Sequence, residues 1–138
     1  ADAIAEVRGT PAYMAPEQAR GQLARLDERT DVYALGALLH HLITGTAPYA
    51  GGPGSAGSSE EILAQVRRGA PAPLLERRPD TPAELAAICE RAMQREGDLR
   101  YAGAAAFGEA LEHVLSRLEA GDLHLAPLAS RRHRKRRR

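Results

Sequence analysis

The sequence has no asparagine and no tryptophan, and only one phenylalanine, one cysteine and one lysine. Each scarcity excludes something. Aromatic residues make up 4% of the chain, so leucine and alanine must do most of the packing. The lone Cys89 rules out a disulfide within the chain and fits a reducing compartment. No apolar run is long enough to span a bilayer and no secretory leader is recognisable, so a cytoplasmic location is expected. The single lysine, Lys135, lies in the closing run RRHRKRRR, residues 131–138. Without that run the chain carries 12 basic against 18 acidic residues, a net charge of −6. A mildly acidic body therefore bears a strongly basic tail. At 138 residues and 43% hydrophobic content, one domain with one core is expected.

What is present is organised around Thr30 to Gly45, TDVYALGALLHHLITG. Thr30 suits a helix cap, Asp31 the positive end of a helix, and Gly45 a C-terminal stop. Val32, Leu35, Leu38, Leu39, Leu42 and Ile43 put apolar groups around most of this helix, which predicts a pillar buried on nearly every side. Gly36 and Ala37 leave a flat spot where another backbone can come close.

Around the pillar, Pro11 and Pro16 predict an irregular packed loop over Gly9 to Gly21 that turns into a short helix near Pro16. Residues 22–29 read as a polar linker, and 46–57 as a Gly/Pro/Ser surface loop. Ser58 or Ser59 caps a helix over 60–68 with the stripe Ile62, Leu63, Val66. Pro71, Pro73 and Pro79 break the next stretch. Thr81-Pro82-Ala83-Glu84 predicts a capping box opening a helix to about Gln94 that buries Leu85, Ile88, Cys89, Ala92 and Met93. Residues 97–100 read as a turn. A last helix over 104–118 carries Phe107, Leu111, Val114, Leu115 and Leu118 on one face. Residues 1–118 are thus expected to form the domain, and 119–138 a flexible basic extension. No strand pattern is convincing, so the fold class is mainly α. Residues 1–9 start without a methionine and read as the middle of something longer.

Several of these pieces, in this order, resemble the C-terminal lobe of a bacterial-type serine/threonine protein kinase. Gly9-Thr10-Pro11-x-Tyr13-Met14-Ala15-Pro16-Glu17 is similar to the end of a kinase activation segment closing on the A-P-E motif. Asp31-Val32-Tyr33-x-Leu35-Gly36 is similar to the family's buried F helix, followed by Thr44-Gly45 and Pro48-Tyr49. Arg100 stands where the family keeps a partner for the A-P-E glutamate. The resemblance covers roughly residues 5–118 and implies a helical C-lobe whose N-lobe and catalytic loop are not in this sequence. It implies that Gly9, Thr10, Pro11 and Tyr13 form a floor under the substrate peptide, with Thr10 bonding the catalytic base. It also implies that Glu17 and Arg100 lock the loop onto the lobe, and that Asp31 accepts hydrogen bonds from the catalytic loop's backbone. With that loop missing, Asp31 is expected to be a buried carboxylate without partners, and the domain to be marginal and prone to associate.

The chemistry itself has no residues here. Phosphoryl transfer is mostly positioning and charge neutralisation, and it needs a strand lysine, a catalytic-loop aspartate and asparagine, and a D-F-G aspartate for magnesium. None is in place. No catalytic, cofactor-binding or metal residue is therefore assigned; ATP and magnesium are implied only for an intact parent. Gly52-Pro53-Gly54-Ser55-Ala56-Gly57 fits G-x-G-x-x-G, but it follows a helix and Pro53 has no N–H to offer a phosphate. It reads as a linker. His40, His41, His113, His124 and His133 lack metal-ligand spacing. The basic tail has three readings: an anionic membrane surface, nucleic acid, or a solvated charge run. Without aromatics for base stacking, nucleic acid is the least favoured. The expected partners are a protein substrate or the kinase N-lobe. A non-catalytic docking module and a truncated gene remnant are the alternatives to a partial kinase domain.

Overall fold

The pillar is a 17-residue helix, α2, from Glu28 to Thr44 in the computed structural model, which describes residues 10–49 and 57–126. It begins earlier than its sequence signal. Asp27, not Thr30, is the cap: its carboxylate accepts from the Arg29 N–H at 2.9 Å, and the Thr30 hydroxyl accepts from the Asp27 N–H at 3.2 Å. Thr30 is the returning half of this reciprocal cap and is buried. Gly45 ends the helix with φ of 77°, a left-handed turn that favours glycine, and its N–H bonds His41 O at 2.8 Å.

Before α2 lie a single turn of 3₁₀ helix (Pro11–Tyr13), the four-residue helix α1 (Pro16–Ala19) and a second 3₁₀ turn (Leu23–Arg25) inside the stretch read as linker. After it come α3 (Ser59–Arg68), α4 (Leu74–Arg77), α5 (Ala83–Ala92), a 3₁₀ turn (Gly97–Leu99) and α6 (Ala104–Glu119). Among the described residues there is no strand. Ser58 caps α3 by accepting from the Glu61 N–H at 3.2 Å. The capping box expected at Thr81 does not form. The Thr81 hydroxyl instead donates to Arg78 O at 2.8 Å, Pro82 occupies the cap position, and Glu84 pairs with Arg117 of α6.

α5 crosses α2 at Gly36, and α6 covers both. Val32, Tyr33 and Ala37 of α2 meet Leu85, Cys89 and Ala92 of α5 and Phe107 and Val114 of α6 in one core. The close approach is real: a Cβ on Gly36 would fall 2.7 Å from the Ala92 Cβ and 2.9 Å from the Met93 Cγ. The Cys89 thiol bonds Gly36 O at 3.3 Å, and burial pushes that thiol up to about 12. Gly36→Ala is expected to destabilise by about 1–3 kcal/mol despite alanine's better helix propensity, because the opposing methyl cannot swing aside. Urea unfolding at neutral pH measures it, and an unchanged midpoint would contradict the packing.

The pillar is not buried all round. Leu38 is 48% exposed and Leu42 68% exposed, on the same side as exposed Asp31 and half-buried Ala34 and Leu35. The apolar pattern therefore marks more surface than the described residues cover. Nor does the chain detach after α6. Leu123 and Leu125 pack against the core, and Arg78, itself buried, donates to Ala126 O and to Ile43 O near the end of α2. Attachment thus continues at least to Ala126, past the boundary read at 118. The basic run 131–138, residues 1–9 with Gly9, and most of the glycine-rich stretch lie outside the described residues. Among those described, no helix is long and apolar enough to cross a membrane.

Candidate functional site

The loop from Thr10 to Pro16 is held at both ends. Its 3₁₀ turn is closed by Tyr13 N to Thr10 O at 3.1 Å and Met14 N to Pro11 O at 3.3 Å. Met14 and Ala15 then enter the interior, and Pro16 starts α1 where its missing N–H costs nothing. Thr10 is exposed and its side chain makes no cap bond. Pro11 and Tyr13 are half-buried.

Glu17 on α1 meets Arg100, 83 residues on, in a two-pronged ion pair: Nη1 to Oε1 at 2.7 Å and Nη2 to Oε2 at 2.9 Å. Both are buried, Arg100 at 3% exposure. The guanidinium spends its remaining N–H groups on three carbonyls, Gln94 O at 2.7 Å, Arg29 O at 3.0 Å and Arg95 O at 3.2 Å. Its flat face lies 5.1 Å from the centre of the Tyr33 ring. One side chain thus ties α1, the start of α2 and the turn after α5 together. A buried charge is tolerable only when its hydrogen bonds are met in this way.

At the other end, the Tyr13 hydroxyl and His41 Nδ1 are 2.5 Å apart, with the rings stacked at 5.9 Å between centres and 10° between planes. Tyr13 also borders a shallow groove of about 440 Å³ with Asp31, Ala34, Leu35 and Leu38. Asp31 is exposed there, not buried as expected, because the first turn of α2 points that carboxylate away from α5 and α6.

Sequence reasoning missed three features. His41 shows no metal-ligand spacing and nothing in the sequence ties it to Tyr13. Arg95, which donates to Val66 O at 2.7 Å and Gly69 O at 2.8 Å, carried no motif. Arg78 sat in a proline-broken stretch. Nothing in an isolated arginine announces that it will collect backbone carbonyls.

The chain is similar to several bacterial protein kinases. The chain is 41% identical over 110 residues to "Tyrosine-protein kinase MasK" of Myxococcus xanthus, covering 80% of this chain and 16% of that protein. It is 39% identical over 101 residues to "Serine/threonine-protein kinase PknB" of Mycolicibacterium smegmatis, covering 73% of this chain and 15% of that protein. It is 37% identical over 108 residues to "Serine/threonine-protein kinase Pkn1" of Myxococcus xanthus, covering 78% and 15%. The chain belongs to the bacterial serine/threonine and tyrosine protein kinases. It carries a C-terminal part of the kinase domain and spans less than a fifth of the length of these relatives. No family model matches the chain. Within this kinase lobe, Glu17 closes the A-P-E motif and α2 is the helix on which the loop is anchored.

Proposed function

We propose that this chain supplies the peptide-binding floor of a kinase that moves the γ-phosphoryl of ATP to a serine or threonine hydroxyl. Gly9, Thr10, Pro11 and Tyr13 would face the peptide, and Thr10 would help select the hydroxyl. The observation that carries this reading is the Glu17–Arg100 clamp, which fixes the loop's outgoing end against the pillar. Asp31, exposed at the groove, is free to accept backbone N–H groups from a catalytic loop. The residues present do not fit ATP and magnesium. The only lysine is in the tail, and among the described residues no three His, Cys, Asp or Glu side chains converge.

Two measurements test the reading. Serine-containing peptides, titrated without nucleotide into the labelled chain, should shift the NMR signals of residues 10–13. The pure chain with ATP and magnesium should phosphorylate nothing. Peptide shifts confined to other surfaces would remove the floor assignment, and measurable magnesium-dependent transfer would refute the claim of inactivity.

A further inference from the structure

We propose that His41 is a positioning residue for the peptide floor, holding Tyr13 in place by accepting its hydroxyl proton at Nδ1. The claim rests on the reading of the Thr10–Tyr13 loop as that floor. The loop leaves the Glu17 clamp through buried Met14 and Ala15, but its outer part, Thr10 to Tyr13, lies on the surface. Among the described residues, the contact between Tyr13 and His41 is the one side-chain hydrogen bond joining that outer part to α2. At 2.5 Å it is short, and the two ring planes lie within 10° of each other.

The direction of the bond follows from the chemistry of the two groups. A phenol hydroxyl is a good donor and a weak acceptor, whereas the unprotonated imidazole nitrogen is a strong acceptor. The favoured arrangement is Tyr13 Oη–H to His41 Nδ1, which places the imidazole's own proton on Nε2. His41 is also well founded as an anchor. It sits in the last turn of α2, and its carbonyl receives the Gly45 N–H that closes the helix. A ring on a rigid helix constraining a residue on a surface loop is the arrangement that positions a binding surface. A bulky apolar residue at 41 would keep some packing but offer no acceptor. Asparagine would place an oxygen close to where Nδ1 now stands.

The test uses the full chain. Nitrogen NMR of the histidine rings should show His41 with its proton on Nε2. Tyr13→Phe should move the Nδ1 signal toward that of a free acceptor. His41→Leu should displace the backbone signals of residues 12–14 and weaken peptide binding about tenfold, and His41→Asn should restore both. A mere loss of packing would not be rescued by asparagine. A proton on His41 Nδ1, or a Nδ1 signal indifferent to Tyr13→Phe, overturns the proposal, and neither result depends on whether His41→Leu folds. Peptide affinity unchanged in His41→Leu overturns it too while leaving the floor intact. Failure of the wild-type chain to bind any peptide overturns the floor and the positioning role together, a result distinct from the previous two.

Discussion

Replacing Arg100 with methionine is expected to cost the fold on the order of 3–5 kcal/mol, the loss typical when one partner of a buried ion pair is removed. The whole stability of a small domain is only about 5–15 kcal/mol, so this variant should be partly unfolded at room temperature. The structure also predicts an asymmetry. Arg100→Met leaves Glu17 buried without its partner and takes the donor away from Gln94 O, Arg29 O and Arg95 O. Glu17→Gln leaves Arg100 all three carbonyls and one side-chain acceptor, so it should cost clearly less. The double variant Glu17→Leu/Arg100→Met removes the unpaired charge but not the orphaned carbonyls, and should recover only part of the loss. Urea denaturation of the three variants decides this. Equal costs for the two single variants would mean that the carbonyl bonds contribute nothing.

The second large effect is a fall in stability on mild acidification, centred on His40. This side chain is 2% exposed, with Nδ1 3.3 Å from Thr46 O and no partner for Nε2 among the described residues. Burial lowers its pKa from the ordinary 6.5 to about 4, with the bond to Thr46 O opposing the shift and the charge of Arg77 adding to it. The folded state therefore holds the neutral ring, while the unfolded state takes up a proton near pH 6.5. Stability is complete above that pH and is lost progressively as the pH falls toward 4. The depression corresponds to at most about 3 kcal/mol across that window. Carboxylates such as Glu17 also titrate at the acid end, so the measurement is a difference. The stability profiles of the wild type and His40→Leu between pH 7 and pH 4 should converge as the pH falls. Parallel profiles would show that His40 is not buried in its neutral form.

Much of this lobe was legible because its signals are local or act through a repeated motif. The extents of α3, α5 and α6 followed from prolines and helical spacing, and most of the buried face of α5 was legible, Leu85, Ile88, Cys89 and Ala92 with Met93 just beyond its end, but not the equally buried Ala86. The flat spot at Gly36 was legible because glycine inside an apolar helix has few other uses. The start of α2 was misread by three residues because Asp27 and Thr30 are both good caps, and only the folded geometry shows that they share the role. The exposure of Asp31, Leu38 and Leu42 was not legible, because motif and helical spacing mark a face of the helix but not what covers it. The attachment of Leu123 and Leu125 was missed because two leucines in a polar stretch have no periodicity. Contacts made by arginines to carbonyls across 26 to 71 residues, such as those of Arg95 and Arg100, have no sequence signature at all.

The packing of α3 has a consequence for how the molecule comes apart. Met14, Ala19, Tyr49 and Val66 form a small cluster of their own, with Ile62 and Leu63 at its edge, separate from the main core. Arg67 to Ala19 O at 2.7 Å ties α3 to α1 within this cluster, and Arg95 to Val66 O at 2.7 Å staples it to the rest. Two cores with few shared side chains behave as two cooperative units of unequal stability. The smaller unit should open first at α3, while Ala15, Tyr13 and the Glu17–Arg100 clamp keep the loop on the pillar and its crossing helices. Native-state amide exchange would then sort the chain into two protection classes, with Val66 and Ala19 in the weaker one and Val32 and Cys89 in the stronger. A variant such as Val66→Ala would loosen α3 and its support of the Pro11–Tyr13 turn while leaving the main melting transition almost in place, so intact melting would say little about an intact site.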